Sequence, residues 1–272
     1  MNILSNPHTH TNFCDGKNSP EEMVKAAIEA GFTALGFSDH SPTPFDPDFP
    51  GILDMQGYIR EIKRLKEKYR GNITIHLGLE LDYYSEVNRN DYDYIIGAVH
   101  YIRDDENGVY YALDSTAEKL EACINNAFGG NALAMVERYY DLVVEVARQR
   151  PHILAHFDLI RKLNSVNHFF DEESPEYRRI ALRALEKAAK SGCIFEINSG
   201  GMYRGFTKNP YPAPFLLKRL AEMEVPVILS SDTHEYKSLN YYFDEILSSL
   251  PEFGFKEITL LGEQGFYTKK IG

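Results

Sequence analysis

The sequence predicts an α/β fold built on parallel strands. Short apolar runs alternate with longer stretches of helical periodicity, no linker or low-complexity tract interrupts them, and most apolar runs end in a His, Asp or Glu. Seven strands are predicted, at Ile3–Ser5, Ala34–Ser38, Ile73–Gly78, Tyr94–Ala98, Ile153–Ala155, Ile194–Ile197 and Val227–Leu229, with Ile258–Leu261 as a late addition. The first helix carries the fullest signature. Ser19-Pro20-Glu21-Glu22 supplies an N-cap, a first-turn proline and a capping-box glutamate, Met23, Ala26, Ala27 and Ala30 form its apolar stripe, and Gly31 stops it. Further helices are read at Met55–Tyr69, Thr116–Phe128, Leu133–Gln149, Glu176–Lys190 and Ala213–Glu222. The segment Ser41–Leu53 holds Pro42, Pro44, Pro47 and Pro50, a stiff loop suited to covering a pocket. The length suits either one large α/β domain or two small ones, and a single domain over residues 1–272 is favoured.

Lys plus Arg number 29 and Asp plus Glu 40, a net charge of −11, so extended nucleic-acid backbones are repelled on average and no nucleic-acid partner is expected. Met1 to Asn12 lacks the basic and apolar regions of a signal peptide, and no stretch has the roughly 18 apolar residues of a membrane span. A soluble cytoplasmic protein is expected. Cys14, Cys123 and Cys193 are odd in number and lack CxxC spacing, so neither a disulfide framework nor a cysteine zinc site is suggested; Cys14, close in sequence to the candidate metal ligands, reads as a reduced bystander.

In parallel α/β architectures the C-terminal strand ends face one side and build the site there. Strand one leads into His8-Thr9-His10, strand two into Asp39-His40, strand three into Glu80, strand four into His100, strand five into His156 and strand seven into Asp232-Thr233-His234. Extended chain puts His8 and His10 on one side, and Asp232 and His234 likewise, so each pair can converge on one ion or on adjacent ions. Imidazole suits zinc, iron or manganese, while Glu80, Asp232 and Asp15 can bridge two ions, which favours a multinuclear site over a single zinc. A lone H-x-H is weak evidence; the joint placement carries the inference. His76, His152 and His168 fall elsewhere and are assigned to structure or surface.

These motifs, His8-Thr9-His10, Asp15-Gly16, Ser38-Asp39-His40, Gly78-Leu79-Glu80, Val99-His100, Ala155-His156 and Asp232-Thr233-His234, resemble the polymerase and histidinol phosphatase (PHP) superfamily over nearly the whole chain. The length, the Ser-Asp-His-Ser-Pro segment and the proline-rich loop resemble its stand-alone histidinol-phosphatase branch. The resemblance implies a distorted (β/α)7 barrel with three divalent ions, zinc, manganese or iron, at the C-terminal ends of the strands. It implies that His8, His10, Glu80 and Asp232 hold one ion, Glu80, His100 and His156 a second, and Asp15, His40 and His234 a third. Many family members carry histidine where this chain has Asp15, a change toward harder ions.

The activity implied is hydrolysis of histidinol phosphate, a step of histidine biosynthesis, by a metal-dependent phosphatase. Such ions supply a hydroxide at neutral pH and cancel charge on the phosphoryl oxygens. Arg161, five residues after His156, and Arg204, in the glycine-rich loop after strand six, are the candidate phosphate-binding guanidiniums. Strand six itself offers no metal ligand. The competing readings are a general phosphomonoesterase or exonuclease of the same family, a non-catalytic metal-binding PHP domain, and an amidohydrolase. None of the nine expected ligand positions is lost, and Glu80 stands where many amidohydrolases carry a carbamylated lysine.

Overall fold

A computed structural model describes residues 5–271. Its strands are β1 (Ser5–Asn6), β2 (Ala34–Phe37), β3 (Thr74–Asp82), β4 (Tyr94–Ala98), β5 (Tyr101–Arg103), β6 (Tyr110–Ala112), β7 (Ile153–Leu154), β8 (Ile194–Asn198), β9 (Val227–Ser230), β10 (Glu257–Gly262) and β11 (Gly265–Lys270). Its helices are α1 (Pro20–Glu29), α2 (Met55–Lys68), α3 (Ala117–Phe128), α4 (Ala132–Arg148), α5 (Asn164–Asn167), α6 (Pro175–Ala188), α7 (Gly200–Tyr203), α8 (Pro214–Glu222) and α9 (Phe243–Phe253). Ile3 and Leu4 of the first expected strand lie outside the described residues.

One sheet runs β1-β2-β3-β4-β7-β8-β9-β10-β11, parallel throughout except for the antiparallel β10–β11 hairpin. It curls until the chain beyond β9 meets the chain beyond β1. There Thr9 bridges Thr233, with His10 N–H donating to the Thr233 carbonyl at 2.8 Å and Thr233 N–H to that of His8 at 3.2 Å. At the other end the Leu261 N–H reaches Ser5 Oγ. The result is a distorted α/β barrel joined most directly at its C-terminal rim.

The two-residue period of each strand separates two apolar clusters. Phe195, Ile197, Val227 and Leu229 pack outward with the apolar faces of the helices, whereas Tyr94, Ile96, Ala98, Ile153, Ala155 and Ile228 pack together inside the barrel. Tyr94 fills the interior: its hydroxyl donates to the Pro7 carbonyl, and glycine is required beside it, since a Cβ on Gly78 would lie 2.3 Å from the tyrosine ring and one on Gly36 2.2 Å from its oxygen. Polar residues on the interior face above this layer, Glu80, Glu196 and Ser230, therefore point into the mouth of the barrel.

Helix α1 starts as its sequence predicts, with both halves of the Ser19/Glu22 capping box formed. Glu21 ties it to α2, accepting from Lys68 at 2.6 Å, Arg64 at 2.8 Å and Tyr69 at 3.0 Å. Sequence reading missed α9, which carries Pro251 in its last turn yet buries Phe243, Ile246, Leu247 and Leu250. It also missed the β5–β6 hairpin and the mostly exposed β11. No described helix is long and apolar enough to cross a membrane.

Gly78→Ala is expected to destabilise the fold by about 1–3 kcal/mol through overpacking against Tyr94; an unchanged denaturant midpoint would contradict this packing. The hydrogen bonds from Lys68, Arg64 and Tyr69 hold Glu21 down at about 2 from its ordinary 4.5. Because the folded state depresses this pKa, the stabilisation is present above about pH 4.5 and is lost as the pH falls toward 2. Glu21→Gln should accordingly lower the unfolding midpoint at pH 7, and its difference from wild type should close at the acidic end of that window. A difference independent of pH would remove the charge from the explanation.

Candidate metal centre

All nine expected ligand residues converge at the C-terminal rim. His8 and His10 lie deepest and are fully buried, Glu80 is 1% exposed, and Asp15 is the most open, its side chain 33% exposed. Backbone pairing sets the layout: the Thr9–Thr233 bridge brings His8 and His10 against Asp232, and a second bridge places His40 beside Glu80. Asp232 adopts φ 47°, a left-handed conformation that costs a non-glycine residue about 1–3 kcal/mol and is often held at functional sites.

Distances among the donor atoms fit divalent ions. His8 Nε2 lies 3.3 Å from Glu80 Oε2 and 3.7 Å from Asp232 Oδ1, and His10 Nε2 lies 3.5 and 3.1 Å from the same two oxygens. Donors about 2.1 Å from a tetrahedral ion stand about 3.4 Å apart. His8 Nε2, His10 Nε2 and Glu80 Oε2 are buried without a hydrogen-bond partner, which is costly for polar atoms unless an ion satisfies them. The other oxygen of Glu80, Oε1, faces His156 Nε2 at 2.9 Å and His100 Nε2 at 3.4 Å. Further out, Asp15 lies 3.0 Å from His234 Nε2 and 3.8 Å from His40 Nε2, while His40 Nδ1 is 2.9 Å from Glu80 Oε2.

The electrostatics express the same demand for positive charge. Burial opposes ionising Glu80, but His8, His40 and His100 outweigh it and hold the carboxyl well below its usual range. Burial likewise opposes Asp232, and Arg204 and His8 outweigh it. Burial disfavours charging His8, yet Glu196, Glu80 and Asp232 pull its imidazole well above the ordinary value. His10 goes the other way, down to about 3, through burial and the neighbouring His234 and His40.

Three carboxylates outside the expected ligand set sit behind the candidate ligands. Asp39 accepts from the Thr11 N–H at 2.7 Å and from the Cys14 thiol at 2.9 Å, and burial raises it to about 6. Asp82 accepts from the His100 N–H at 3.0 Å. Glu196, in strand β8, meets the His8 ring and the His156 N–H. Their signal was a charged residue inside an apolar strand or beside a ligand. Cys14, expected to be a bystander, is a free thiol whose pKa is raised by burial, Asp39 and Asp15, and it lies against the site, 3.6 Å from His10 Nδ1 and grouped with His10 and Asp39. The three remaining histidines lie apart from the ligands. His76 bonds the Gly262 carbonyl, His152 accepts from the Ile95 N–H, and His168 caps α5.

A cavity of about 440 Å³ opens over the ligands, within the range for small-molecule sites. Ser41, Thr43, Asp46, Asp48 and Phe49 line it, so the proline-rich loop does cover a pocket. Arg204 reaches it from α7, bonding Asp232 Oδ2 at 3.0 Å and the Asp232 carbonyl at 3.1 Å. Gly200 permits this approach, because a Cβ there would lie 2.8 Å from the guanidinium. Arg161 is not brought to the cavity. Its guanidinium is held by Asp158 at 3.0 Å and Glu172 at 2.6 Å, and the neighbouring Lys162 lines the pocket instead, paired with Asp114 at 2.9 Å.

The PHP domain family matches residues 6–200. A probable histidinol-phosphatase of Deinococcus radiodurans is 29% identical, the alignment covering 95% of this chain and 97% of that protein. The histidinol-phosphatase of Bacillus subtilis is 25% identical over 88% of this chain and 97% of its own length. The crystal structure of histidinol phosphate phosphatase from Lactococcus lactis, complexed with zinc, L-histidinol and phosphate, superposes with a TM-score of 0.73 at 19% identity. It covers 97% of this chain and 99% of that one.

Ions that bind only the folded site should stabilise it, by about 2.7 kcal/mol per site at one hundred times Kd. Zinc or manganese added to chelator-treated protein is expected to raise the thermal midpoint in proportion to the logarithm of ion concentration. A midpoint indifferent to both metals would refute the centre.

Proposed function

Since the chain belongs to the PHP domain family, we propose that it is a metal-dependent phosphatase that hydrolyses L-histidinol phosphate to L-histidinol and phosphate. The observation that carries this reading is the ring of His, Asp and Glu donors, with orphaned buried atoms at its centre, opening on a small cavity that Arg204 overlooks. The choice of substrate is supported by the names of relatives aligned over nearly their whole length. Residues 1–272 are read as one domain. In support, Asp232 and His234, beyond the matched segment, come within reach of His10 and Asp15.

His8, His10, Glu80 and Asp232 would hold one divalent ion, Glu80, His100 and His156 a second, and Asp15, His40 and His234 a third, with zinc, manganese or iron suiting these donors. When bound, such ions supply a nucleophile at neutral pH and neutralise phosphoryl charge. The chain's own contribution is orientation and shielding. Glu80 divides its two oxygens between two imidazole groups. Arg204, anchored on Asp232, presents a guanidinium to a phosphoryl oxygen. Lys162, Lys17 and Lys119 add further cations on the cavity wall, and Asp46, Asp114, Tyr101 and Phe49 offer carboxylate and aromatic faces to the cationic end of the substrate. Arg161, expected from the sequence as a second phosphate ligand, holds the segment after β7 through Asp158, which in turn accepts from the Ala213 N–H at 2.8 Å.

Phosphate release by metal-loaded protein should be far faster from histidinol phosphate than from an aryl phosphate or a single-stranded DNA oligonucleotide. A preference for DNA overturns the assignment. Arg204→Ala is expected to lower kcat/KM by about 10²–10³-fold, the scale for losing one donor to developing negative charge. A variant with wild-type kcat/KM would remove Arg204 from phosphate binding.

A further inference from the structure

Strand β8 supplies no candidate metal ligand, yet its Glu196 is fully buried within bonding distance of two of them. Four groups point at this carboxylate. Oε1 lies 2.5 Å from His8 Nδ1 and 2.6 Å from Ser230 Oγ, and Oε2 lies 2.7 Å from the His156 backbone N–H and 3.0 Å from Asn198 Nδ2. The two partners of Oε2 can only donate. One is a peptide N–H, and the Asn198 amide is oriented by its own Oδ1, which accepts from the Gly200 N–H at 2.8 Å. A carboxylate that accepts at both oxygens requires the proton on His8 Nδ1. In the neutral ring, the form that can ligate an ion, the lone pair then sits on His8 Nε2, which faces Glu80 Oε2 and Asp232 Oδ1 and is the nitrogen without a hydrogen-bond partner.

We infer that Glu196 is a positioning residue that fixes His8 in the Nδ1–H tautomer and, by anchoring the His156 backbone, sets two ligands of different ions from one carboxylate. Metal-bound histidines commonly owe their orientation to such partners, whose loss costs roughly 10–100-fold in affinity. Here the partner also spans the barrel. It links the chain after β1 to the chain after β7 through the strand between β7 and β9, and so controls the separation of two ligand groups as well as the angle of one ring. The inference rests on the assignment of His8 and His156 as ligands made under the proposed function.

Glu196→Gln tests it with little change of shape. The amide oxygen must stay toward the His156 and Asn198 donors, so the NH2 group faces His8. That drives the imidazole to carry its proton on Nε2, the ligating nitrogen. The expected result is a fall of about 10–100-fold in zinc affinity, read by competition with a chromophoric chelator. Wild-type affinity in the variant would overturn the inference. A second measurement needs no variant. In cadmium-113-loaded, 15N-histidine-labelled wild-type protein, His8 should couple to the metal through Nε2 and show a proton on Nδ1. Coupling through Nδ1 overturns the role of Glu196 while leaving His8 a ligand; no coupling at His8 overturns the ligand assignment along with it.

Discussion

The rest of the structure depends on a buried carboxylate that must be answered by positive charge. Glu80 is almost wholly enclosed, and an uncompensated charge there would cost several kilocalories per mole. The fold surrounds it with imidazoles from four different strand ends, His8, His40, His100 and His156. These groups can meet the demand by taking up protons, as the raised pKa values of His8, His40 and His100 express. They can also meet it by ceding their lone pairs to cations, in which case metal uptake releases protons and tightens as the pH rises. The same geometry therefore accounts both for the raised imidazole pKa values and for a donor set suited to divalent ions.

That concentration of charge is tolerable because the barrel is filled in layers. Below lies a dry floor of Tyr94, Ile96, Ile153 and Ile228, with Gly36 and Gly78 making room for the tyrosine ring. Above it lies a belt of polar residues, including Asp39, Asp82 and Glu196, whose oxygens accept from backbone or side-chain donors and in turn hold the ligands. The site is thus rigid from beneath and open only toward the cavity, where the proline-rich loop and Arg204 approach.

The legibility of these layers in the sequence follows from their periodicity. Strand cores and the helices bearing caps were readable, because apolar spacing and residues such as Ser19, Thr116 and Gly129 act locally. The convergence of the His, Asp and Glu side chains was readable because parallel strands deliver their C-terminal ends to one rim, whatever the details of curvature. Helix α9 escaped because its Pro251 and serines weaken the local signal while tertiary burial of Phe243 and Leu250 supplies the stability. Glu196 escaped for a different reason. A lone charge inside an apolar strand marks Glu196 as unusual, but nothing local says what it supports across the barrel, because its partners His8 and Ser230 are 188 and 34 residues away in sequence.

Arg161 shows the same limit from the other side. Five residues after His156 it is near the centre in sequence, and a guanidinium is the right chemistry for phosphate. Distance along the chain does not decide which way the side chain turns. Asp158 is itself buried, with burial raising its pKa against the pull of Arg161, and Glu172 closes on the guanidinium from α5's far side of the chain. Breaking such a buried pair costs about 3–5 kcal/mol. An anion in the cavity would have to recover that cost before gaining anything from Arg161. Arg204 faces no such choice: it keeps its contact with Asp232 while its side chain, 26% exposed, remains on the cavity wall. The carboxylate partner of Arg204 is one of the converging donors of the rim, so its ion pair holds the guanidinium at the cavity, whereas the partners of Arg161 hold its guanidinium away from it.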